Sequence, residues 1–480
     1  MSRRIWSARG RVVALAAVCG SALALVAQDR SPPSSPISPA EQVKPAENRP
    51  GTGKPQALVQ VRREVPEVVY AVKPKPLSPA VQKGLEYLVK NQQPDGGWNQ
   101  GGGWRTQEGG GRIEGAKVED PSDVGNTCFA LLALLRAGNT VTEGPYKQAV
   151  RKGLLFVLEH VDKADWDSLQ LGNVRGTQIQ SKIGPYVDLF AANLVLAEFR
   201  GKAGDLEERL MNGLEKTMTK IVRNQKQDGT FAGNVGWAPT LSVGIANKGV
   251  ARAKERGAIV DEKALEKIVA QATASGKPTG SSATPSKRLP ADVRSEVGGR
   301  AGDDDAGILL YSASQKAGNF QDVVNSLARD AAEARRVLAS PTASAADRRQ
   351  AELTLKRFDE LRARNEATQA GLVQNLRDDR FVAGFGSNGG EEFLSFLNIS
   401  ETLVLRGGKE WQEWDSRMIQ GLEKAQNSDG SWAGHHCITG RTFCTATALL
   451  VLLADRTTFA PEVIREARSQ PQPAQSKPAQ

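Results

Sequence analysis

The segment Gly302-Asp303-Asp304-Asp305-Ala306-Gly307 sets three carboxylates side by side. Crowded acids repel one another, so one keeps its proton well above the usual carboxylate range, as a general acid must. The same residues also read as a solvated acidic loop capping a helix, since acids near a helix N-terminus are favoured by its dipole. A second group of reactive types is Gly434-His435-His436-Cys437, with Cys444 following. Zinc takes three or four N, S or O ligands in a tetrahedron. Adjacent His435 and His436 point apart, and Cys437 and Cys444 serve equally well as disulfide partners, so no metal is expected. Gly-rich phosphate loops, a Ser nucleophile elbow and a Cys–His protease pattern are all missing from the sequence, and no cofactor is expected.

These groups must be positioned by something, and the chain repeats itself. Gly84 to Trp98 runs from the end of a helix through Gln92 and Asp95-Gly96 to Trp98. Gly421 to Trp432 does the same through Gln426 and Asp429-Gly430, and a weaker copy carries Gln225, Asp228-Gly229 and Phe231. Asp-Gly supplies the positive φ that stops a helix. The Gln can bond helix-end backbone groups, and the aromatic ring covers the turn. After the first and last copies comes a nearly all-apolar helix, Thr127 to Leu135 and Thr445 to Leu453. The helix before each turn is amphipathic, so one member of each pair faces outward and the other is buried on most sides. Stacked pairs of this kind build a solenoid or a closed double ring.

These units resemble the QW-type repeats of the prenyltransferase and squalene-cyclase superfamily, over roughly residues 78–455 with gaps. The resemblance implies an all-α fold, an α/α toroid of repeated, six-hairpin-like helix pairs. The charged helical patterns Phe320 to Leu338 and Ala345 to Leu376 are expected as an inserted hairpin (320–376) that could meet a protein partner. Ser344 with Asp347 offers its cap. A flexible surface loop is expected over 274–300.

The repeat phase places the connections before the buried helices on one rim. Asp123, Asp188, Glu391, Glu392, His435, His436 and Arg441 would then surround the mouth of a central cavity, the default place for a ligand. Resemblance to class II terpene cyclases assigns Asp304 the proton-donor position, with Asp303 and Asp305 beside it. Gly302 replaces the first acid of that motif, and the chain is only 5% aromatic where such enzymes line their cavities with rings. The zinc-binding Asp-x-Cys pair of protein prenyltransferases does not occur.

Arg3, Arg4, Arg9 and Arg11 followed by the apolar run Val12 to Ala27 make a signal peptide (residues 1–27), cleaved after Ala27. An uncleaved membrane tether is the alternative. Without those arginines the formal charge falls from +9 to +5, and no basic cluster interleaves with aromatics, so nucleic acid is not an expected partner. Residues 28–77 read as a Pro-rich disordered spacer, with Val65 to Val72 able to lie on the helices, and 456–480 as a disordered tail. Cys128, Cys437 and Cys444 remain in the exported chain, where one pair could form a disulfide. The expected function is binding of an isoprenoid, lipid or glycan ligand, or a protein partner, in the periplasm or outside the cell. A cyclase using Asp304 and a polysaccharide-active toroid are the alternatives.

Overall fold

The computed structural model describes residues 57–105, 111–274, 304–384 and 389–468, with the side chains of Ala116 and of 304–308 left out. Asp303, the signal segment, the expected loop and the residues after 468 lie outside the described part. What is described is helical, and its strands form only two-stranded pairs.

Five helices are buried along most of their length, α2 (Val124–Arg136), α5 (Val187–Glu198), α7 (Pro239–Glu255), α12 (Gly390–Arg406) and α14 (Arg441–Leu452), and a sixth, α9 (Asp304–Ala339), is mostly buried between Leu310 and Ala328. All twelve residues of α5 are buried, which is why its sequence VDLFAANLVLAE shows no polar face. Each of the six packs on the next, α2 on α5, α5 on α7, α7 on α9, α9 on α12, α12 on α14, and α14 on α2. Outside them lie the amphipathic α1 (Pro79–Lys90), α3 (Lys147–Lys163), α6 (Glu207–Asn224), α8 (Glu262–Ala274), α10 (Ala345–Asn375) and α13 (Gly408–Ala425). Two short helices, α4 (Gln178–Ile183) and α11 (Asp379–Ala383), fill connections, and α15 (Pro461–Arg468) ends the described chain.

The repeated turns have one geometry. Gln92 Nε2 donates to its own turn at Gly96 O (2.8 Å) and to Ala149 O on α3 (2.9 Å). Gln426 Nε2 donates to Gly430 O (2.9 Å) and to Ala80 O on α1 (2.8 Å). Trp98 and Trp432 are fully buried, and their indole N–H groups donate to Leu88 O (2.6 Å) and Leu422 O (2.7 Å). A methyl at Gly153 on α3 would lie 2.8 Å from the Trp98 ring, and one at Gly84 on α1 would lie 2.8 Å from the Trp432 ring. The third copy keeps the pattern with Gln225 on Gly229 O (3.3 Å) and Phe231 buried, and its Gly229 abuts Lys267 of α8. Each turn thus seats on a following outer helix, and the last seats on the first.

Three expectations are corrected. The 320–376 segment is not an insertion: α9 begins well before it and packs between α7 and α12, because Leu310, Ser314, Ala317 and Val323 make a small-residue buried face that its charges conceal in the sequence. Ser344 does cap α10, accepting from Asp347 N at 3.1 Å. Residues 57–77 are not a free spacer but an extended strap. Its strands β1 (Gln60–Val61) and β2 (Val69–Tyr70) pair antiparallel with β5 (Ala258–Ile259) and β6 (Thr458–Phe459). Residues 456–468 likewise carry β6 and α15 rather than a tail.

Candidate functional site

The N-termini of α2, α5 and α12 carry the four expected rim acids, Asp123, Asp188, Glu391 and Glu392. Asp123 caps α2, accepting from Asn126 N (2.8 Å) and Asn126 Nδ2 (2.9 Å). Asp188, in the first turn of α5, accepts from Gln180 Nε2 (2.8 Å), and its Oδ1 is buried without a donor. A methyl at Gly125 would sit 2.7 Å from Asp188 Oδ1 and 3.6 Å from Asp123 Oδ1, so both carboxyls converge on one glycine. Burial raises Asp123 to about 7. Burial and the Asp123 charge raise Asp188 well above the usual range. Near neutrality such a pair retains a proton.

A second cluster stands at α12 and the turn before α14. Glu391 and Glu392 are fully buried. Glu392 accepts from Gly389 N (2.9 Å) and Tyr311 Oη (2.6 Å), and His436 Nε2 lies 3.4 Å from its Oε2. Glu391 Oε2 accepts from Ile438 N at 3.3 Å, while its Oε1 is buried without a donor. Burial and the neighbouring Glu392 push Glu391 up to about 8. Burial and Glu391 push the Cys437 thiol up to about 12. One ligand atom each from Glu391, His436 and Cys437 lies within 4.8 Å of the others.

The remaining expected residues are dispersed. His435 is exposed. Arg441 is spent on structure, paired with Glu114 (3.0 Å) and Asp429 (2.8 Å). Asp304 and Asp305 open α9, their side chains outside the described part. The expected disulfide does not form: Cys128, Cys437 and Cys444 are free thiols, and Cys444 Sγ donates to Ile438 O at 3.4 Å.

All six central helices line one narrow pocket of about 30 Å³. Its walls are Phe129, Leu132, Leu194, Leu241, Ile245, Leu394, Leu397 and Leu450, and Gln315 and Asn398 add amides. On α12 the sequence Glu391, Leu394, Leu397, Glu401 steps down turn by turn from acid to apolar wall to charged floor. At the floor Glu401 pairs with Lys248 (2.7 Å) and Arg136 (2.9 Å), and Lys248 also reaches Asp322 (3.1 Å). Glu198 holds Arg252 and Arg256 at 3.4 Å. None of these floor residues stood out in the sequence, because their partners lie on other helices far away along the chain.

Gln178 also escaped notice. Its Oε1 accepts from Thr439 N (2.8 Å) and Gly440 N (2.9 Å), and its Nε2 donates to Trp104 O (2.9 Å), tying α4 to the start of α14. At the other end of α4, Ala238 N donates to Lys182 O at 2.9 Å. Trp104 and Trp237, 50% and 56% exposed, therefore flank α4. No protein-family model matches the chain, and no curated protein matches it in sequence.

Proposed function

We propose that this chain is an exported α/α toroid of the squalene-cyclase and prenyltransferase repeat type. It binds a ligand with an aliphatic part in its central pocket and does not carry the full catalytic set of that superfamily. The toroid is supported by six buried helices whose neighbour contacts return to the first, and by the Trp432 turn seated on α1. The binding reading rests on one observation: the pocket wall is mostly aliphatic, with the Phe129 ring and the Gln315 and Asn398 amides, above a floor whose charges are already paired. Such a wall attracts hydrocarbon by burial but offers a single π face to a carbocation.

The test is lipid extraction and mass spectrometry of purified mature protein, alongside a Leu394→Trp variant that fills the pocket. A co-purifying isoprenoid or lipid that the variant loses is the expected result. A ligand retained by Leu394→Trp, or none in either protein, overturns it. A second reading is a class II cyclase with Asp304, carried by the pocket-lining helix α9, as proton donor. Turnover of an isoprenoid abolished by Asp304→Asn would establish that reading instead. Trp104 and Trp237 favour a third, since exposed rings at a mouth suit sugar faces; retention on immobilised glycan, lost on Trp104→Ala, would select it.

A further inference from the structure

We propose that Glu391, His436 and Cys437 form a binding site for a divalent transition-metal ion of the zinc class. The donors are a carboxylate, an imidazole and a thiol, the mixture a borderline-soft ion takes. Their ligand atoms lie within 4.8 Å of one another. Donors on tetrahedral zinc stand roughly 3–4 Å apart, so a small inward movement of side chains closes the set.

Three independent features point to an occupant. Glu391 Oε1 is a fully buried carboxylate oxygen that no donor satisfies, and such an atom costs free energy unless something fills the place beside it. Cys437 has φ +53°, the one positive value at a non-glycine residue among the described residues. Strain of that kind persists where the surroundings hold a side chain in a set place. Gly389 leaves room beside the imidazole: a methyl there would lie 2.8 Å from His436 Cε1. Glu392, fixed by Tyr311 and Gly389, stands beside the His436 ring, as carboxylates beside metal-bound imidazoles do to orient them. The Glu391 carboxyl and the Cys437 thiol give up their protons to bind a metal. Binding M²⁺ forms M–O and M–S bonds and releases those two protons to solvent.

The site is independent of the central-pocket reading and is tested without any organic ligand. The full mature chain, reduced and stripped with chelator, is titrated with Co²⁺ alone. A thiolate-to-cobalt charge-transfer band saturating at about one equivalent, bleached by Zn²⁺, is expected. Cys437→Ser should abolish the band, and His436→Ala and Glu391→Gln should each weaken cobalt binding by ~10-fold or more. Cys128→Ser and Cys444→Ser should leave it intact. No saturable band overturns the proposal. So does a band that survives Cys437→Ser or is unmoved by His436→Ala, a change at a half-buried ring that leaves the packed helices in place.

Discussion

Glu391 and Glu401 are carried by one helix, α12, about 15 Å apart along its axis, and both are buried. Their charges have opposite fates. At the N-terminal end, burial and Glu392 push Glu391 up to about 8, against the opposing hydrogen bonds from Ile438 and Cys437. At the floor, burial would raise Glu401 too, but Lys248, Arg136 and Arg252 overcome it and hold the carboxyl far below its ordinary value. Equal burial therefore does not decide charge; the cations facing each group do. The mouth stores uncompensated acid, and the floor stores closed ion pairs. The two ends of α12 thus differ in how far their buried charge is met.

The contrast can be broken from the floor first. Glu401→Gln keeps the shape but leaves Lys248 and Arg136 short of their anion, and should cost about 3–5 kcal/mol at neutral pH in urea unfolding. A loss under about 1 kcal/mol would mean the pairs are not holding the helices together.

Glu391→Gln tests the mouth with the opposite sign. A folded value raised from 4.5 to about 8 gives stability that is full below pH 4.5 and drains away as pH climbs to 8. With chelator present, the variant should match wild type near pH 4. It should exceed wild type at pH 9 by on the order of 2–4 kcal/mol. Saturating Zn²⁺ should shrink that gap, because the metal stabilises the ionised carboxylate. Parallel stability curves for the two proteins would remove the distinction between mouth and floor.

Gly125→Ala gives the smallest effect. Its methyl would press on Asp188 Oδ1 at 2.7 Å and Ile179 Cδ1 at 2.4 Å. Crowding of this kind costs about 1–3 kcal/mol. The loss should be the same with and without Zn²⁺, since this second acid pair is separate from the cysteine-bearing turn.

How far the sequence discloses this arrangement depends on the range of the contacts. The turns were legible because Gln, Asp-Gly and Trp act within a few residues of one another, and Trp98 and Trp432 occupy matching places. The alternation of amphipathic and apolar helices was legible too, from α1 with α2 to α13 with α14. The centrality of α9 was not. Its buried face is built from Ser314, Gln315, Ala317 and Asn319, which periodicity does not count as apolar. Glu391 appeared as a rim acid, but its neighbours at His436 and Cys437 enter only when two connections are brought side by side. The strap was misread because a two-residue strand pairing with Thr458–Phe459 leaves no local trace.

The Trp432 turn also constrains how the chain can be made. Gln426 donates to Ala80 across 346 residues, so the surface of α1 that receives it is synthesised early and stays uncovered until nearly the whole polypeptide has left the ribosome. Closing so distant a seam is a slow step, and the waiting apolar edge is exposed to aggregation meanwhile. Chains cut short before α13 would leave that surface of α1 without the turn that covers it.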